Sequence, residues 1–135
     1  MKRAFSLVEL LVVIVILSVL ASIAIPSYLN YRTKVMAASY ALPLARACMN
    51  DIASYCSSES INETYDNPIG DPRFPNCNEN NTVAVGNVKI EVVVVPSCGS
   101  SGMLSQGVIK AYIEGSDNYK AYCVVDIRPF RCYIE

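Results

Sequence analysis

The sequence predicts an α+β fold in which a long, kinked N-terminal helix packs on a four-to-five-stranded antiparallel sheet. Three patterns in its 135 residues predict this. Residues 5–25 are apolar on every side, residues 35–56 are apolar on one side at spacings of three and four, and from Thr82 onward the period is two. A chain of this length has room for one compact core and little more.

The first element is a helix from Phe5 to Ile25, interrupted only by Ser6, Glu9, Ser18 and Ser22. It would be about 31 Å long, enough to span a bilayer. Lys2 and Arg3 precede it, so the positive-inside bias puts this end in the cytoplasm and the rest of the chain across the membrane. Six cysteines in so short a chain fit an oxidising compartment. Two ordinary readings suit these facts: a secretory signal peptide cut among Ala21, Ser22 and Ala24, or a plain anchor. Neither accounts for Glu9, because a carboxylate within a span costs about 2.5–3.5 kcal/mol and usually has a function.

The combined pattern is more specific. Lys2-Arg3-Ala4, then Phe5-Ser6-Leu7-Val8-Glu9-Leu10 and an unbroken apolar helix, resembles the class III signal of the type IV pilin family, which includes the type II secretion pseudopilins. Pro26-Ser27-Tyr28-Leu29-Asn30-Tyr31 resembles the proline and paired tyrosines with which many members leave the membrane. The resemblance implies the type IV pilin fold, a cut between Ala4 and Phe5 by a prepilin peptidase, and methylation of the new Phe5 amine by the same enzyme. Members usually carry Gly at the cut, so Ala4 is a departure that bears on processing efficiency. The apolar helix stays on the processed chain, which keeps 9 basic against 12 acidic residues, a net charge of −3. The cut creates a positive amine one turn from Glu9 on the same helix face. In the family this pairing acts between subunits, so Glu9 would favour the assembled filament and set its register.

The resemblance also implies an organisation and a role. Residues 1–4 form the leader, 5–31 the transmembrane and polymerisation half of the helix, and 32–135 a globular domain. Its function would be that of a structural pilus subunit, with motility, adhesion or DNA uptake as possible filament roles. Its partners would be copies of itself, the prepilin peptidase/N-methyltransferase, the pilus assembly platform and, before assembly, the membrane. It would sit in the inner membrane with a cytoplasmic N-terminus, then in an extracellular pilus. Phe5, Glu9, Pro26 and the compact size favour a major subunit; the alternatives are a minor pilin, a secretion pseudopilin, or a DNA- or surface-binding adhesin pilin.

Pro26 lacks an amide hydrogen and crowds the Ser22 carbonyl, which predicts a bend. Beyond it Val35, Ala38, Leu42, Ala45, Met49, Ile52 and Cys56 form the expected core stripe of an amphipathic helix, bent again at Pro43 and ending near Ser57. Residues 58–81 hold Pro68, Gly70, Pro72 and Pro75 among many Asn and Asp, and read as a loop. The run from Asp66 to Asp71 offers oxygen atoms without calcium-loop spacing and reads as a solvated turn. Asn62-Glu63-Thr64 and Asn80-Asn81-Thr82 match the glycan-acceptor pattern, which is too common to carry weight.

The sheet is expected over 82–135. Thr82–Val85, a Gly86-Asn87 turn and Val88–Val95 form one hairpin; Val108–Glu114, a turn at Gly115–Asn118 and Tyr119–Ile127 form a second; Phe130–Ile134 follows Arg128-Pro129. Lys89, Glu91, Lys110 and Glu114 alternate with apolar residues, as on a sheet with one wet face. Val92–Val95 is apolar on both faces, so one is expected to meet another subunit.

No enzyme reading arises, since the chain has no His and no nucleophile, base or pocket to point at. A net charge of −1, with Arg73, Lys120, Arg128 and Arg131 scattered, gives no basic stripe, so nucleic acid is not expected as a partner. No metal or other cofactor is implied. The cysteines read as staples, with fifteen possible connectivities. Cys48 and Cys56 cannot pair within one helix, because eight residues separate them by roughly 12 Å. Cys123 and Cys132 could face each other across the last two strands, a bridge that would resemble the C-terminal disulfide loop of many type IVa pilins. Cys56 with Cys77 and Cys48 with Cys98 would complete the set.

Overall fold

The computed structural model describes residues 4–59, 67–116, 118–126 and 130–135. Lys2 and Arg3, the Asn62-Glu63-Thr64 sequence, Asp66, and Ile127 with Arg128-Pro129 lie outside the described residues. The chain forms two compact units, one ending at Arg32 and the other spanning Thr33–Glu135. Helix α1 covers Leu7–Met36, a π-helical turn covers Ala37–Ala41, and helix α2 covers Leu42–Glu59. Strands β1 (Asn80–Val83), β2 (Gly86–Cys98), β3 (Leu104–Ile113), β4 (Lys120–Val124) and β5 (Arg131–Ile134) form an antiparallel sheet in the order β1-β2-β3-β4-β5.

The irregularity expected at Pro43 takes the form of a wider turn just before it, where the Leu42 amide donates to the Ala37 carbonyl five residues back. This extra residue rephases the face that packs on the sheet. Ala37 and Ala41 are buried, while Val35 and Ala38, expected in the core, are exposed. From Ala45 onward the expected stripe holds, and Met49, Ile52 and Cys56 are fully buried against Val88, Ile90, Ile109, Ala111 and Cys123. Pro26 likewise lies inside α1, which continues to Met36.

The segment 67–79 is an irregular loop with turns, as expected, but it is anchored to the core at Pro68, Phe74 and Cys77 rather than solvated throughout. Phe74 and Pro68 are among the largest fully buried side chains, and Phe74 meets the Tyr55 ring edge-on at 5.5 Å. The Asn76 amide and side chain donate to the Asp51 carboxylate at 2.9–3.0 Å, which fixes this stretch beside the middle of α2. That anchorage explains why two expected disulfides are exchanged. Cys77 reaches Cys48, one turn from Asp51, rather than Cys56 at the helix end. Cys56 pairs with Cys98 at the far end of β2. Cys123 is joined to Cys132 across β4 and β5, with Cα atoms 4.1 Å apart.

The first hairpin closes earlier than expected. Ala84 and Val85 form the turn, and Gly86, at φ +131°, pairs with Val83 because Val83 and Val85 pack against the core. β2 also runs past Val95, through Pro96, to Cys98. Register slips against β3 after Val92 and Val94 accommodate the proline. Gly107 stands opposite at φ +149°, where an added Cβ would lie 3.2 Å from the Pro96 Cα. Gly107→Ala is therefore expected to cost about 1–3 kcal/mol, from backbone strain and overpacking, read as a lower melting temperature.

The wet face of the sheet carries paired charges. Lys89 bonds Glu114, Lys110 bonds Glu91, and the Tyr112 hydroxyl donates to Glu91 at 2.6 Å. The Lys110 and Tyr112 hydrogen bonds hold the Glu91 carboxyl below its ordinary 4.5. Lys89 does the same for Glu114, and Arg73 does so for Asp71, whose ordinary value is 3.8. A carboxylate with a depressed folded-state pKa stabilises fully above its unfolded value and loses that contribution as pH falls through the folded one. The melting temperature should thus hold from neutrality to about pH 5 and then fall. Glu91→Gln should lower it at pH 7 and flatten the acid decline. Lys89, raised above its ordinary 10.5 by the Glu114 bond, contributes at neutral pH and loses that contribution only in strong alkali.

Candidate functional site

The start of α1 is written in Ser6-Leu7-Val8-Glu9, a Ser followed three residues later by Glu, which is a helix-start signal. The Ser6 carbonyl accepts the first intrahelical bond, from the Leu10 amide at 3.2 Å. Ala4 and Phe5 therefore precede the helix, and both are exposed. Glu9 falls in its first turn, where a negative charge is favoured by the helix dipole. Among the described residues Glu9 has no hydrogen-bond or ion-pair partner.

Every residue from Ala4 to Arg32 is exposed. Glu9 is the one charged residue between Arg3 and Arg32, in a helix long and apolar enough to cross a membrane. The polar side chains within the run do not oppose that environment. The Ser18 hydroxyl donates to the Val15 carbonyl and the Ser22 hydroxyl to the Val19 carbonyl, each at 2.7 Å. Pro26 leaves the Ser22 carbonyl without its usual amide donor four residues on. Tyr28 and Tyr31 follow, both well exposed, and then Arg32 and Lys34, the order of a membrane–water boundary.

This surface has no pocket chemistry. It is a cylinder of Leu, Val and Ile that water does not favour, with one carboxylate near its end. It can do two things: partition into lipid, or pack against other such cylinders. Among the described residues no cluster of His, Cys, Asp and Glu could hold a metal ion.

Residues 1–25 match the family model of the prokaryotic N-terminal methylation motif, the class III signal peptide of type IV pilins. No curated protein and no solved structure matches the chain. The motif supports a pilin-like or pseudopilin protein, points to a structural subunit rather than an enzyme and implies processing by a prepilin peptidase; together with the long apolar helix it fits membrane anchoring before assembly. The α+β architecture, with its long N-terminal helix and five-stranded antiparallel sheet, is that of type IV pilins.

Proposed function

We propose that this chain is the major structural subunit of a type IV pilus. Cleavage between Ala4 and Phe5 removes the leader of residues 1–4, and the Phe5 amine is methylated. Residues 5–31 hold the subunit in the inner membrane until the assembly platform adds it to an extracellular filament, and residues 32–135 form the filament's surface. The observation that carries this reading is the fully exposed, largely apolar run from Ala4 to Tyr31, with Glu9 its one charge, under a methylation motif. Such a surface is complete only in lipid or among copies of itself. Pro26 gives the helix a point at which its backbone bonding is already interrupted, where it can loosen as subunits pack.

The test is the intact mass of protein from native cells, with sheared surface material and membranes taken separately. A chain starting at Phe5, one methyl heavier and abundant in the sheared fraction, is the expected result. The same mass confined to membranes would mean a minor pilin or a secretion pseudopilin, the second reading the motif allows. A start near Ser22 or Ile25 would overturn both.

A further inference from the structure

The charges of the chain are unevenly placed along it. After Glu9 the next acidic residue is Asp51, and the only charged residues between them are Arg32, Lys34 and Arg46. Eleven of the 12 acidic residues therefore lie at or beyond Asp51. Arg32 and Lys34 are exposed near the end of α1, and neither has an ion-pair partner among the described residues. Cleavage at Phe5 takes Lys2 and Arg3 from the other end of the span and leaves the new amine there to balance Glu9. The surplus cations of the processed helix then all stand beyond its apolar run.

Their depth is set by the helix. Leu7 to Ile25 measures about 28 Å, close to the ~30 Å hydrocarbon core, and the headgroup zone adds about 5–7 Å on each side. Along the axis Tyr28 follows Ile25 by about 4–5 Å and Arg32 by about 10 Å. Helical side chains lean toward the N-terminus, so Arg32 and Lys34 reach back to the bilayer surface rather than away from it. Tyr28, Tyr31 and Arg32, at i, i+3 and i+4, share one helix face, with Tyr28 64% and Tyr31 68% exposed. Two phenol hydroxyls, a guanidinium fork and an ammonium are the groups that hold a phosphate diester. A zwitterionic headgroup brings its own cation, which two unpaired cations repel; an anionic one does not.

We propose that Tyr28, Tyr31, Arg32 and Lys34 bind the headgroup of an anionic phospholipid in the outer leaflet of the inner membrane. This deepens the proposed function and rests on its membrane-held subunit, not on its filament. The lipid is the partner that charge and position select together, because these residues continue the apolar run directly into the headgroup zone. The contact fixes the depth at which the subunit waits in the membrane.

The test places the full processed chain in nanodiscs of equal parts phosphatidylcholine and phosphatidylglycerol, and counts by native mass spectrometry the lipids it keeps on release. Phosphatidylglycerol is expected in an excess of about fivefold or more. Arg32→Gln with Lys34→Gln should bring the ratio close to one, and Arg32→Lys with Lys34→Arg should keep most of it. Lys120→Gln, on the wet face of the sheet, should leave it unchanged. Equal retention of the two lipids, a preference that survives the double Gln substitution, or one lost equally with Lys120→Gln would overturn the proposal. Equal retention would leave carboxylates of a second copy as the partner of these cations. A chain from native cells that starts near Ser22 or Ile25 overturns the membrane-held subunit itself; equal retention by a chain that starts at Phe5 overturns the lipid contact alone.

Discussion

Glu9→Val should leave cleavage at Phe5 intact and remove the chain from sheared filaments altogether. On the proposed reading the peptidase recognises the leader and the Ala4–Phe5 junction, neither of which the substitution touches. Assembly is different, because Glu9 has no partner within the described chain and stands alone in a fully exposed apolar run. Unpaired in lipid, such a carboxylate costs about 2.5–3.5 kcal/mol at the centre of a span and less near its end. In the proposed filament, docking against the Phe5 amine of a neighbour would relieve that cost, so the charge would favour the polymer over the dispersed subunit. Valine makes the dispersed subunit more comfortable in the membrane and erases the one mark that fixes register along an otherwise uniform cylinder. Glu9→Gln keeps the shape and removes the charge, and should fail in the same way. The measurement is the mass and yield of processed chain in sheared and membrane fractions. Normal filaments from either variant would refute the pairing.

The sequence displayed the helix, the strands and the apolar N-terminus because each leaves a periodic trace. It concealed what depends on contacts between distant residues. The core phase before Ala45 was misread because a wide turn, compensating for Pro43, makes Ala37 and Ala41 rather than Val35 and Ala38 face the sheet. The Gly86-Asn87 pair looked like a turn by composition, but packing of Val83 and Val85 moved the turn two residues earlier. Phe74 stood in a stretch of Pro and Asn, where nothing local signals burial; its place is set by Tyr55 and the Asp51–Asn76 bonds. At the N-terminus the Ser6-to-Glu9 spacing was an available signal for where α1 begins. Glu9, Pro26 and the Ala4–Phe5 junction stand out in the sequence because charge, proline and apolar length act locally.

Removing the Cys56–Cys98 bridge should cost more stability than removing Cys123–Cys132, although both join buried or half-buried cysteines at similar Cα distances. A disulfide acts largely by restricting the unfolded chain, and its effect grows with the loop it closes. Separations of 42 and 9 residues correspond to about 4 and 2–3 kcal/mol. Cys56→Ala with Cys98→Ala leaves no free thiol, and against a typical stability of about 5–15 kcal/mol it removes a large share. For a unit of this size the melting temperature should drop roughly 15–30 °C, measured on the full chain in detergent. Cys123→Ala with Cys132→Ala should lower it by about half to two thirds as much. Equal or reversed losses would mean that native-state contacts, not loop closure, set the contribution. Peptide mapping of the unaltered protein must show Cys48–Cys77 and Cys56–Cys98 for the comparison to hold. The exchanged pairs would instead put Cys77 at the helix end, against the Asp51–Asn76 bonds that hold it at mid-helix.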